Sequence, residues 1–481
     1  MPSIVKNTFV YTLGNIIPAA ASFILLPIYT LYLSPSDYGI LESVNALSPI
    51  LAILFSLCFG ASIFRLYYDY KTESQRKLFF GTIFISTIVF SLVFLILIII
   101  FRNKVEQIYK TIEFNPYYLF LIITVFISNF FDLPQKYLML KGKPVPYIIL
   151  TISKFIVTAS LILFFIINRL EGPAGYLKAR LISSLIFLPI YLIISIKIIK
   201  FKFSFEIFKS LLRFSIPIIP ILLSSWVLNL SDRIFIERYF SIHDVGIYSL
   251  SYKIASLVLI LVSAFNMAYR PFFFQHSNDS NTLRGKEIIY RHNNLFLILM
   301  IIAIFLISFF AKEIVTLFFS ANYIDAYHYI PLIVFSYLLA VLGGFTGRFF
   351  EQSKKMKQNM FISIGMAFSN ISLNFLLIPY WGAYGAIFAT ALSLLGGFIV
   401  AYFYTKKYCY FVDFNWSLIF SLTTSLAFIV IIFQLFIDFQ NVYISLIIKL
   451  IITGLSCMFI LRKRTKEIKQ FLSSGELFSN E

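Results

Sequence analysis

Charge is what this sequence has least of. Asp, Glu, Lys and Arg make up 13% of its 481 residues, where a soluble domain carries about 25%. A water-soluble fold of this length could not cover its surface with so few. The three cysteines, Cys58, Cys409 and Cys457, stand apart, without a CxxC pair or a Cys/His cluster, which argues against a zinc site or a disulfide framework. His243, His276, His292 and His328 form neither HxxxH nor HExxH. There is no GxxxxGK[ST] phosphate loop, so ATP hydrolysis by this chain is not expected. The first apolar run lacks a small-residue cleavage site and reads as an anchor, not a cleaved signal.

What the chain has instead is hydrophobic length. Apolar runs of about 20 residues recur throughout, each long enough to span a bilayer as a helix. Phe84–Phe101 shows none of the alternation of a barrel strand, and lipid leaves helices as the remaining way to satisfy the backbone. The runs predict an all-α integral membrane protein of about fourteen transmembrane helices. That map puts twenty-six Lys and Arg of the connecting segments on one side and six on the other. Positive charge collects on cytoplasmic loops, so the map places both termini in the cytoplasm. One helix more or fewer would reverse the bias downstream. The net charge of +18 is therefore assigned to topology and anionic membrane lipid, not to nucleic acid.

The sequence repeats itself. Ser34, Asp37, Gly39 and Ile40 match Ser241, Asp244, Gly246 and Ile247 at a constant offset of 207, and Gly175, Ala179 and Ser183 match Gly385, Ala389 and Ser393 at 210. A six-helix block duplicated in the same orientation predicts two parallel halves with substrate between them. The domains follow: residues 1–196 as an N-terminal lobe and 214–408 as a C-terminal lobe, with 197–213 between them. Residues 409–481 add helices thirteen and fourteen and a basic tail. In 197–213, Phe201, Phe205, Phe208 and Leu212 fall at helical spacing opposite most of the lysines, which predicts an amphipathic helix on the inner leaflet.

Several segments resemble polysaccharide flippases of the O-antigen type. They are Lys6-Asn7-Thr8 with Gly14-Asn15, Leu26-Pro27, Leu33–Gly39, Arg213–Pro217, Ser231-Asp232-Arg233 and Pro379 with Gly382–Ala386. These flippases belong to the multidrug/oligosaccharidyl-lipid/polysaccharide (MOP) exporter superfamily, with the multidrug extruders and the lipid II flippase. The resemblance implies a V of two six-helix lobes in a bacterial inner membrane. It implies a transporter rather than an enzyme, working by alternating access on undecaprenyl-diphosphate-linked oligosaccharides. Polymerase and chain-length proteins of the same pathway are implied as partners. One departure weighs against lipid II as substrate: no charged residue lies between Lys6 and Asp37, where the lipid II branch carries arginines.

Ionisable groups inside a bilayer are costly and usually face a cavity or a partner. Asn229, Arg233 and Glu237, spaced by four with Asp232 beside them, predict a polar stripe on helix seven facing a wet lumen, or else an Arg233–Glu237 pair that only fixes packing. Arg233, Lys253, Arg270, Arg65 and Asn229 are the candidates for substrate contact, the cations forming a basic path for a diphosphate. Asp232 and Glu237 are candidates for coupling to H+ or Na+; no other cofactor is expected. Asp132 and Lys154 are expected to pair as a structural link between helices four and five, and Arg348 and Glu351 as a surface pair. A drug-cation antiporter of the same fold, a lipid II flippase and a membrane polysaccharide polymerase remain as rival readings.

Overall fold

The computed structural model describes residues 11, 14, 16–278, 282–436, 441–454 and 456. Lys6, Asn7, Thr8 and Asn15 of the opening motif, Cys457 and the basic tail from Arg462 lie outside the described residues. Among the described residues the secondary structure is helical, without strands. Eleven helices are long and apolar enough to cross a membrane, and Ile16–Tyr32 and Val442–Gly454 are shorter apolar helices. The 53-residue helix Met356–Tyr408 is interrupted at Gly382, with φ 53° and ψ −131°. Asn370 donates to Thr390 Oγ1 across that point at 3.2 Å. Residues twenty apart on a straight helix would be about 30 Å from each other, so the chain doubles back there and supplies two spans. With the two shorter helices this accounts for the expected fourteen.

The described residues fall into two compact units. One comprises residues up to Ser249 together with Ser363–Thr390; the other comprises Leu250–Ile362 and the chain from Ala391. In the first unit, the repeated motif caps two helices. Ser34 Oγ accepts from the Asp37 amide at 3.2 Å, and Asp37 Oδ2 accepts from the Ser34 amide at 3.0 Å, opening the helix Pro35–Ala46. Ser241 Oγ accepts from the Asp244 amide at 3.2 Å, opening Ile242–Ala255. The two copies also meet. A Cβ on Gly39 would stand 2.0 Å from Ile242 O, and one on Gly246 would stand 1.9 Å from Pro35 O. The repeat thus packs against itself, backbone to backbone.

The long second span breaks between Ser48–Ser56 and Phe59–Leu66. Leu57 and Cys58 take φ of 42° and 59°, which a residue with a Cβ adopts only where its surroundings hold it. Hydroxyls supply partners for backbone groups that the lost turn releases. Ser91 Oγ donates to Phe55 O at 2.9 Å, Ser215 Oγ donates to Cys58 O at 3.3 Å, and Ser56 Oγ accepts from the Cys58 amide at 3.2 Å.

The amphipathic segment is helical over less than its expected length. The helix begins at Phe205, capped by Ser204, and runs Phe205–Ser215. Ile207 and Leu211 are buried against Phe59, Ile63, Phe79 and Phe80, while Phe201, Phe203 and Phe205 are exposed. Phe208 and Leu212 pack, partly buried, against the same cluster, with the Phe208 ring 6.1 Å from that of Phe59, so the helix docks on the first unit through aliphatic and aromatic side chains together. In the second unit, Lys449 Nζ lies 2.9 Å from the Glu313 carboxylate and donates to Phe309 O at 2.8 Å, all buried. This fixes Val442–Gly454 to that unit.

Candidate functional site

A cavity of about 500 Å³ lies in the first unit beside the broken second span. Its polar wall contains Asn129, Asp132, Lys136, Ser225, Trp226 and Asn229. Asp132 Oδ2 accepts from Lys136 Nζ at 2.8 Å on the helix Leu119–Leu140, the favourable i,i+4 order with the acid first. Gly60 makes room for the pair: a Cβ there would lie 1.8 Å from Asp132 Oδ2 and 2.3 Å from Lys136 Nζ. Both atoms end flexible side chains, so Gly60→Ala should displace the pair without unfolding the protein. The expected cost is under about 1 kcal/mol, read as a thermal midpoint close to that of the parent protein. Trp226 Nε1 donates to Ala46 O at 2.6 Å and fixes the indole, and Asn229 Nδ2 donates to Ser225 O at 2.7 Å.

Asp132 therefore pairs with Lys136 and not, as expected, with Lys154. Lys154 Nζ sits 3.9 Å from the centroid of the Phe131 ring instead. The neighbour one turn along the same helix reaches the carboxylate without bridging two helices.

Farther along the seventh span the predicted stripe divides. Asn229 lines the cavity, but Asp232, Arg233 and Glu237 are 1%, 4% and 3% exposed. Arg233 pairs with Asp232 Oδ1 at 3.2 Å and donates to Asn229 O at 2.9 Å; Tyr248 donates to Asp232 Oδ2. Glu237 Oε1 accepts from both the amide and the hydroxyl of Thr111 at 2.9 Å, and Lys110 Nζ donates to Arg238 O at 3.4 Å. The Arg102–Tyr118 connection thus folds over this end of the helix and buries Tyr109 and Ile112 with it. Burial pushes the Tyr109 phenol well above its ordinary pKa, and nearby Arg233 partly offsets this. A connection docked on a helix buries charges that helical spacing alone places on an open face.

The other candidates are not among the residues that line the cavity. Arg65 pairs with Asp69 at 3.0 Å, with both side chains more than half exposed, and Lys253 is exposed. Arg270 pairs with Glu351, so the expected Arg348–Glu351 pair is replaced. Arg348 turns to Asn266 and lies over the Tyr269 ring at 4.9 Å. Arg65 and Arg270 each have a carboxylate partner and do not line the cavity.

Some residues of the site carry no mark in the sequence beyond a lone letter in an apolar run. Asn129 and Gly60 are two of them. Others are Arg180, which donates to Asn45, and the buried ladder in which Asn374 Nδ2 donates to Asn370 Oδ1 at 3.1 Å and Asn370 to Thr390. The i,i+4 spacing of Asn370 and Asn374 was the available signal. Among the described residues no three His, Cys, Asp or Glu side chains converge as metal ligands.

The family described as Polysaccharide biosynthesis protein matches residues 4–277, and the MatE family matches residues 217–376. An uncharacterised membrane protein of Haemophilus influenzae is 22% identical over 423 residues, 84% of this chain and 98% of its own length. Among solved structures, the lipid II flippase MurJ in an inward closed conformation aligns with a TM-score of 0.68 at 14% identity, covering 95% of this chain and 99% of that one. An inward-facing multidrug resistance MATE family transporter of the MOP superfamily aligns at 0.60 and 14%, covering 81% and 97%. Both likenesses are likenesses of fold.

Proposed function

Because this chain belongs to the polysaccharide biosynthesis protein family and has the fold of MOP-superfamily transporters, we propose that it carries a polyprenyl-diphosphate-linked oligosaccharide across a bacterial inner membrane. The direction is from the cytoplasmic to the outer face, and both termini are cytoplasmic. The family's description, polysaccharide biosynthesis, supports a sugar-bearing cargo. The observation that supports the mechanism is a cavity lined by Asp132, Lys136, Asn129 and Asn229 within apolar spans. A polyprenyl tail is stable in lipid by about 0.8 kcal/mol per CH₂, whereas each unpaired sugar hydroxyl costs about 1–3 kcal/mol to desolvate. A cavity with polar side chains on one wall lowers that barrier while the tail remains in lipid.

In this proposal residues 1–196 and 214–408 act as two lobes that alternate access, joined by 197–213. A proton or sodium gradient, or consumption of the product, drives the cycle. Asp232 and Glu237 are the coupling candidates, and both must exchange their present partners to serve. Polymerase and chain-length proteins would receive the product. The test is loss of the protein in its own cell. Surface polysaccharide should disappear while lipid-linked oligosaccharide accumulates on the inner leaflet, where membrane-impermeant lectins cannot reach it. Unchanged arrival of that precursor at the outer leaflet would refute the proposal.

A further inference from the structure

We propose that the cavity beside Cys58 receives a neutral pyranose ring of the substrate rather than its diphosphate. This rests on the transport reading above and narrows it to one part of the cargo.

Charge decides between the two parts. Asp132 and Lys136 are the ionisable Asp or Lys residues among the cavity's lining side chains, and they neutralise each other at 2.8 Å. A diphosphate entering the cavity would meet the Asp132 carboxylate, whose side chain remains 44% exposed. Like charges at contact in a site of reduced dielectric repel strongly, and no second lining cation offsets this. In the same unit Arg65, a candidate of the expected basic path, is paired with Asp69 and is not among the lining residues.

A polyhydroxyl ring finds the complementary set. The Asp132 carboxylate has acceptor sites beyond the one taken by Lys136, and the Lys136 ammonium has donors beyond the one it gives to Asp132. Asn129 Nδ2 is a buried donor without a hydrogen-bond partner among the described residues. Such a group is costly unless something satisfies it, and a ligand hydroxyl in the adjoining cavity would. The indole of Trp226, held by its bond to Ala46 O, offers an apolar wall for the C–H face of a ring. The volume of about 500 Å³ lies within the roughly 300–1,000 Å³ of small-molecule sites.

The test uses the full chain purified in detergent, with Trp381→Phe and Trp416→Phe so that Trp226 alone reports. The probes are farnesyl diphosphate and farnesyl diphosphate linked to glucose, galactose or N-acetylglucosamine. At least one sugar-bearing probe should bind about tenfold or more tighter than farnesyl diphosphate. Asn129→Ala should remove that difference while leaving farnesyl diphosphate within about twofold of the parent affinity. Asn129 Nδ2 has no hydrogen-bond partner among the described residues, so this variant is expected to fold normally. Equal affinity for all probes overturns the pyranose site and leaves the transport reading standing. So does an Asn129→Ala variant that keeps the full sugar preference, or that loses farnesyl diphosphate as heavily as the sugar probe. Failure of every probe to bind overturns both.

Discussion

Gly246→Ala is expected to cut export of surface polysaccharide about tenfold or more and to lower the melting temperature of the purified protein. The added methyl would stand 1.9 Å from Pro35 O and 3.2 Å from the Gly39 amide. These are backbone atoms of a capped helix, so no side chain can swing away to accommodate it. The helices Pro35–Ala46 and Ile242–Ala255 must separate, and overpacking of this kind costs about 1–3 kcal/mol or more. Gly39→Ala makes the reciprocal clash with Ile242 O at 2.0 Å. The two substitutions share one contact, so the double variant should be less harmful than the sum of the singles. Gly365→Ala, where a Cβ would meet nothing within 4 Å, should behave as the parent. Full export by Gly246→Ala would show that the close crossing is dispensable.

Arg233→Ala is expected to fail earlier, at accumulation in the membrane. The substitution leaves Asp232, 1% exposed, without the guanidinium at 3.2 Å. Removing one partner of a buried ion pair costs about 3–5 kcal/mol, a large share of the stability of most domains. Asp232→Asn combined with Arg233→Gln removes both charges and should restore part of the protein level, measured by quantitative immunoblot and a thermal shift. An Arg233 that faced a lumen would instead lose export with the protein still in place. Normal accumulation of Arg233→Ala together with lost export would return Arg233 to the transport path.

The contrast shows which features were legible. The Ser34–Asp37 and Ser241–Asp244 match was legible as a repeat, though not as the helix caps it forms. The fourteen spans followed from apolar length and the sidedness of Lys and Arg. The partners of Asp132, Glu237 and Glu351 were not legible, because each carboxylate had more than one cation or donor within reach, and only packing selects among them. The docking of Ile207 and Leu211 was not legible either, because the surface of Phe59, Phe79 and Phe80 that receives them comes from distant parts of the chain. Asn129 became interesting only when the cavity appeared beside it.

The reversal at Gly382 bears on how the chain enters the bilayer. Asn370 and Asn374 lie in the first arm of Met356–Tyr408, and Thr390 lies in the second. Emerging alone during synthesis, the first arm would present two amides to hydrocarbon. With so tight a turn, the second arm follows at once and brings its threonine hydroxyl to the first. The pair is thus suited to leave the translocon as one hairpin, its polar seam already closed before acyl chains surround it.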